Sequence, residues 1–311
     1  MNARIVGIGH YRPATILSND DLARIVDTSD EWIRSRVGVI NRHIAAEHES
    51  VADMAVAAAG KALAAAGVEG GEVDLVITAT CTLEAPVPGV SATIAARLGI
   101  PSAGAFDLNA GCAGFCYGLS VARDAVKAGS ARRVLVVGAE KLSSWVDWAD
   151  RSTCVIFGDA AGAAVIGVSE TDGIGPVAWG SDGSKAAAIR IPDRAARIQI
   201  EGQTVFRWAI TVLGDVAIEA CHRAGVAPVD IKVVVLHQAN LRIVEAIARR
   251  LNAPSAVIAA DIIDSGNTSA ASVPVALSRL IESGAAHSGD LVLLLAFGAG
   301  LTYAGQVVIC P

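Results

Sequence analysis

Val134-Leu135-Val136-Val137 and Val292-Leu293-Leu294-Leu295 are two short uncharged runs, the second beginning 158 residues after the first (134 to 292). Apolar runs of this length read as strands buried on both faces. The same offset joins Val73-Asp74-Leu75-Val76-Ile77 to Ile231-Lys232-Val233-Val234-Val235. It also joins Asn109-Ala110-Gly111-Cys112-Ala113-Gly114 to Asn267-Thr268-Ser269-Ala270-Ala271-Ser272. Three matches at one spacing indicate a duplicated α/β unit, divided into an N-terminal half, 1–170, and a C-terminal half, 171–311. Strand and helix patterns alternate throughout, which predicts a buried, largely parallel sheet. The two matching turns then face each other about a pseudo-twofold axis, and a site forms between the halves.

The bulk properties narrow the function. A chain of 311 residues buries a large core. Its net charge of −6 gives no general basic field for nucleic acid or an anionic membrane, so an acidic partner needs a local patch. Cys81, Cys112, Cys116, Cys154, Cys221 and Cys310 are scattered without a C-x-x-C pair, which argues against zinc and a disulfide framework and fits a reducing cytoplasm. The N-terminus carries no sustained apolar run of the kind that directs export. Mean hydropathy is high, at +0.49. Leu291 to Cys310 is uncharged, but Gly298, Gly300, Gly305, Thr302, Tyr303 and Gln306 break it, so two buried strands around a glycine turn are expected rather than a membrane span.

Cys112 is the candidate nucleophile. Phe115, Leu119, Ala122 and Val126 follow it at helical spacing, with Arg132 and Arg133 at the far end. A thiol at a helix N-terminus has its pKa lowered by the unpaired N–H groups and the dipole, so an activated Cys112 is expected. His237 ends the strand Ile231 to Leu236 and precedes a helix Leu241 to Leu251, where open α/β sheets place ligands. Asn267 lies in a small-residue turn before a helix from about Ser272. Phe297-Gly298-Ala299-Gly300 is a glycine turn able to aim N–H groups at an oxyanion. His10, His43, His48, His222 and His287 read as loop or surface and receive no role. Earlier in the chain, Ser18 caps a helix expected to run through Val26, and Ser50 to Ala66 reads as an alanine-rich helix ended by Gly67. Between them, Trp32 with Arg36 one turn on forms a candidate platform for an anionic aromatic ligand.

Cys112, His237 and Asn267 together make a nucleophile with two neutral hydrogen-bond donors. That set suits acyl transfer to a thiol, followed by decarboxylation of a second thioester whose carbonyl the two donors hold as charge develops.

At these residues the sequence resembles β-ketoacyl-(acyl carrier protein) synthase III, a condensing enzyme of the thiolase superfamily. The likeness includes Asp27-Thr28-Ser29-Asp30-Glu31-Trp32-Ile33, the Cys112 turn, Asp147-Trp148-Ala149-Asp150-Arg151, Phe157-Gly158-Asp159, Val205-Phe206-Arg207-Trp208-Ala209, His237-Gln238-Ala239-Asn240, Gly266-Asn267-Thr268-Ser269 and Phe297-Gly298-Ala299-Gly300. It implies an α/β thiolase-like fold, with two duplicated halves packed as five αβαβα layers. It implies a Cys112-His237-Asn267 triad, and oxyanion donors from the backbone of Cys112, Phe297, Gly298 and Ala299. By the same likeness Trp32, Arg36 and Arg151 grip coenzyme A, while Gly202, Phe206 and Asn240 line the pantetheine tunnel. Val87 sits at the dimer-facing end of the acyl pocket, where many relatives carry Phe. An acidic acyl carrier protein docks on Arg207, Arg242, Arg249 and Arg250. The implied reaction uses acyl-CoA and malonyl-acyl carrier protein as substrates and no cofactor or metal, in a cytoplasmic homodimer that binds neither nucleic acid nor membrane. Val37, Ile200 and Ala160 depart from the family's usual Thr, Met and Gly, and the stretch from Trp179 to Arg197 is shorter than usual. An acyltransferase that moves the acyl group without decarboxylation is the alternative, disfavoured by Asn267.

Overall fold

Ten strands form two five-stranded sheets in the computed structural model, which describes residues 1–83 and 85–311. The first sheet holds β1 (Asn2–Tyr11), β2 (Leu75–Ala79), β3 (Gly104–Leu108), β4 (Arg133–Glu140) and β5 (Ala160–Ser169), in the order β1-β5-β4-β2-β3. The second holds β6 (Ala178–Gly180), β7 (Val233–Leu236), β8 (Val257–Ile258), β9 (Leu291–Phe297) and β10 (Tyr303–Ile309), in the order β6-β10-β9-β7-β8. The two orders are the same. Even the register repeats: Leu75 pairs with Val134, and Val233 with Val292, each partner 158 residues on. The helices Gly114–Ala128 and Ser272–Glu282 start at that offset too.

The sheets are mixed rather than largely parallel. β4 with β5, and β9 with β10, run antiparallel, as do the outer pairs β1 with β5 and β10 with β6. For β9 and β10 the reason is the length of the connection. Only five residues join β9 to β10, and a short link cannot return a strand to the same end of the sheet.

Seven helices complete the layers: α1 (Asp30–Arg36), α2 (Val51–Ala66), α3 (Val90–Arg97), α4 (Gly114–Ala128), α5 (Gly202–Arg223), α6 (Leu241–Leu251) and α7 (Ser272–Glu282). α2 and α3 cover the outer face of the first sheet, α5 and α6 that of the second, and α4 and α7 lie between the sheets. This is the five-layer αβαβα arrangement. α4 buries Phe115, Leu119, Ala122 and Val126, the positions its periodicity marks. It ends at Gly129, whose φ of 81° closes it four residues before Arg133 opens β4. α2 starts on the Ser50–Asp53 capping box and stops at Gly67, as its sequence requires. The helix expected from Ser18 to Val26 is one turn, Asn19–Leu22, followed by turns in which the Ile25 and Val26 N–H groups both donate to Leu22 O. His10 and His43 are buried rather than superficial, on Ser278 Oγ (2.9 Å) and Pro13 O (2.6 Å).

Candidate active site

The strand ends of both sheets converge on one cavity of about 480 Å³, lined by Cys112, His237 and Asn267 together with Phe297, Gly298 and Ala299. Cys112 sits two residues ahead of α4, in a turn begun by Gly111 at φ 53°. Burial pushes its thiol up to about 12, the Glu140 carboxyl adds to the rise, and the Ser269 hydroxyl opposes it. Enclosure thus opposes the lowering expected from the start of α4.

Asn267 is fixed by its backbone. Its N–H donates to Ile156 O (2.9 Å) and its carbonyl accepts from Gly158 N (3.0 Å). Its Oδ1 accepts the Ser269 N–H at 2.8 Å, which leaves Nδ2 as a donor. His237 is 2 % exposed, with its ring edge against Phe297. Burial lowers its pKa to about 3, so the imidazole is neutral. Nδ1 lies 2.7 Å from Ser272 Oγ, which also accepts the Gln238 N–H at 3.4 Å. With the Ser272 hydroxyl donating to Nδ1, the ring carries its own proton on Nε2. The site thus holds two neutral donors, His237 Nε2–H and Asn267 Nδ2–H.

Gly298 brings the second half tightly against the nucleophile turn: a Cβ built there would fall 2.5 Å from Cys112 N. Its own N–H donates to Thr302 O at 2.9 Å and is not free for an oxyanion. The sequence did not single out Glu140, Ser269 and Cys81. They surround the Cys112 thiol from the first sheet and the Asn267 turn.

The expected binding residues divide. Gly202, Phe206 and Asn240 line the cavity. Asn240 also caps α6 and donates to Arg36 O at 3.0 Å, tying α1 to the tunnel wall. Trp32 pairs with Arg151 rather than Arg36: the Arg151 guanidinium lies 4.8 Å from the ring centroid, and Arg151 Nη1 donates to Asp27 O. Trp32, Arg36 and Arg151 stand outside the cavity lining. Val87 does too, on the surface and 79 % exposed. Of the four expected docking arginines, Arg242 stacks 5.0 Å from the Phe206 ring, Arg249 faces Glu245, Arg250 bonds Asp215 (2.7 Å), and Arg207 is exposed on α5. The short stretch before α5 adds Arg190, Asp193 and Ile200 to the lining. No sequence signal marked Arg190 or Asp193.

Comparison with known proteins places this geometry. A family model for 3-oxoacyl-[acyl-carrier-protein] synthase III matches residues 106–183, and one for its C-terminal domain matches 221–310. The β-ketoacyl-[acyl-carrier-protein] synthase III 2 of Streptomyces avermitilis is 53% identical over 99% of both chains. The chain belongs to the β-ketoacyl-[acyl-carrier-protein] synthase III family. A mycobacterial family member from Mycobacterium avium is 48% identical, over 100% of this chain and 96% of that one. Among solved structures, the priming β-ketosynthase of the R1128 polyketide pathway superposes with a TM-score of 0.97 at 43% identity, covering 100% of this chain and 96% of its own. The synthase III of Aquifex aeolicus gives 0.96 at 41%, covering 99% and 100%. Synthase III membership carries the thiolase fold, and no helix among the described residues is long and apolar enough to cross a membrane.

Proposed function

We propose that this chain transfers an acyl group from acyl-CoA to Cys112 and then condenses it with malonyl-acyl carrier protein, releasing carbon dioxide and a 3-oxoacyl-acyl carrier protein. The observation that carries this reading is the pair of neutral donors, His237 and Asn267, beside a thiol in one cavity. In the first half-reaction the Cys112 sulfur adds to the thioester carbonyl, and the Cys112 and Ala299 N–H groups face the oxyanion. Coenzyme A leaves as a thiolate and takes a proton from water. In the second, His237 and Asn267 hold the malonyl thioester carbonyl. The C–C bond to the carboxylate breaks, and the enolate carbon attacks the Cys112 thioester. Each fixed donor lowers that barrier by roughly 3 kcal/mol.

Coenzyme A binds across the Trp32–Arg151 pair and Arg36, with its pantetheine passing Phe206, Gly202 and Asn240. It enters as a substrate, and the chemistry calls for no cofactor or metal. The carrier protein docks on Arg207, Arg242, Arg249 and Arg250 of α5 and α6, with Arg242 set against the Phe206 ring of the cavity wall. Division of the chain near residue 170 gives one half the nucleophile and the other both donors. Two copies associate through β3, an edge strand whose Phe106 is 42 % exposed, which also brings Val87 to the partner's acyl pocket. Six free thiols suit a reducing cytoplasm.

Incubation with a panel of acyl-CoA thioesters, followed by intact-protein mass measurement, tests the first half. An adduct on Cys112→Ala overturns it. Asn267→Ala is expected to keep the adduct and lose carbon dioxide release from malonyl-acyl carrier protein. An acylated wild-type chain that releases none is an acyltransferase instead.

A further inference from the structure

The cavity runs between two apolar clusters. Val205, Phe206, Ile243 and Phe297 line it from the cluster around α5, α6 and the second sheet, the side given above to pantetheine. Leu142, Ile156, Phe157 and Ile198 line it from a separate cluster, built on the segment after β4 and the short stretch before α5. Trp145 completes this second wall and is half-buried.

The Trp145 ring is braced rather than loose. The residue closes a tight helical turn, Leu142–Ser144, with its N–H donating to Leu142 O at 2.8 Å. Its indole Nε1–H donates to Thr82 O at 3.3 Å. That acceptor is itself held, because the Thr82 hydroxyl donates to Glu140 (2.6 Å) and accepts from Lys141 N (3.0 Å). From the other side the Ile198 N–H donates to the Trp145 carbonyl at 2.9 Å. The wall also connects to the catalytic turn. Cys81, next to Thr82 in the chain, lies 3.8 Å from the Ser269 hydroxyl, and the Ser269 N–H bonds Asn267. Cys81 and Leu83, on either side of Thr82, line the same cavity as Cys112.

We propose that Trp145 is a specificity-determining residue, whose fixed indole ends the acyl branch of the cavity and restricts the group loaded onto Cys112 to a short alkyl chain without polar substituents. This rests on Cys112 being the acyl acceptor. The cavity, about 480 Å³, has to take the pantetheine arm and the acyl group together, so a rigid ring on the acyl side sets what remains for the chain. The one polar hydrogen of the indole is spent on Thr82, and the neighbouring Leu142, Ile156, Phe157 and Ile198 offer no side-chain hydrogen bond. A hydroxyl or carboxylate on the chain would be desolvated there without a partner. A longer chain would have to push the ring off Thr82 and the Trp145 carbonyl off Ile198. Val87 does not line this cavity within the chain, whereas Trp145 does.

The test is a ratio, the rate of Cys112 acylation by octanoyl-CoA over that by acetyl-CoA, read by intact mass on full-length protein with a thermal melt alongside. Partial unfolding lowers both rates alike, so the ratio isolates the shape of the pocket. Wild type is expected to favour acetyl-CoA by about 100-fold, and Trp145→Ala to erase most of that preference. Trp145→Phe keeps most of the bulk without the N–H and is expected to move the ratio by roughly 10-fold or less. A wild-type chain that takes both groups equally, or a folded Trp145→Ala with the wild-type ratio, overturns the proposal. So does a ratio that responds to Val87→Phe and not to Trp145→Ala. If Trp145→Ala fails to fold, Trp145→Leu takes its place with the same two outcomes. N-octyliodoacetamide and N-methyliodoacetamide alkylate a thiol without coenzyme A, and their rate ratio at Cys112 is expected to follow the same order. A wild-type chain that accepts no acyl-CoA defeats the functional assignment, and the alkylation ratio then decides the wall by itself.

Discussion

Gly298→Ala is the sharpest single test of how the two halves set the nucleophile. The new Cβ would lie 2.5 Å from Cys112 N and 3.0 Å from Cys112 Cβ. Ordinary contact begins near 3.4 Å, so the Cys112 turn has to retreat by about 1 Å from the β9–β10 turn. Both partners are main chain or Cβ, so no flexible side chain absorbs the overlap. Overpacking of this kind costs about 1–3 kcal/mol of stability. A reacting atom misplaced by about 1 Å loses about 100-fold in rate, because attack needs close alignment with the held carbonyl. The assay is single-turnover acylation of Cys112 by intact mass, paired with a thermal melt. Gly183→Ala, whose Cβ meets open space, is the control expected to change neither. Acylation by a folded Gly298→Ala at the wild-type rate would refute the view that this contact positions the sulfur.

Gly60→Ala, inside α2 with nothing within 4 Å of the new Cβ, is expected to raise stability by about 0.5–1 kcal/mol in urea unfolding. For His237, the unfolded chain binds a proton below 6.5 and the folded chain only below about 3, so this group's contribution is lost as pH falls through that interval. Urea unfolding of wild type should therefore show a slope steeper than that of His237→Gln by about 1.4 kcal/mol per pH unit, with His10 and His43 contributing equally to both. Phe106→Asp on β3 is expected to leave a monomer in analytical ultracentrifugation with its melt unchanged; a persistent dimer would place the subunit contact elsewhere.

The fold was legible because its signal is local. The apolar runs of β4 and β9, the Ser50 cap, Gly67 and the limits of α6 each declare themselves within a few residues. Strand direction was not, since an antiparallel return looks the same as a parallel one until the connecting turn is known. Cys112, His237 and Asn267 were legible as residues that break apolar or small-residue patterns at strand ends. Glu140 was not: it reads as an ordinary charged terminus to an apolar strand, and its link to Ser269 spans 129 positions. Trp32 and the Arg151 that stacks on it are also far apart in sequence, and only packing brings the two together. The enclosure of the Cys112 thiol has no signature in sequence.

The repeat places Ala270 where Cys112 stands in the other half, and Ala270 is 1 % exposed. Its Cβ lies 3.6 Å from a Cβ built at Gly114, and its carbonyl 2.4 Å from one built at Gly138. There is little room at Ala270 itself for a larger side chain. The division of labour between the halves is therefore imposed by crowding: one turn can carry a sulfur only while its twin stays small. New chemistry in this framework has to be built on the walls and mouth of the cavity, where Cys81 already sets a second thiol beside the first.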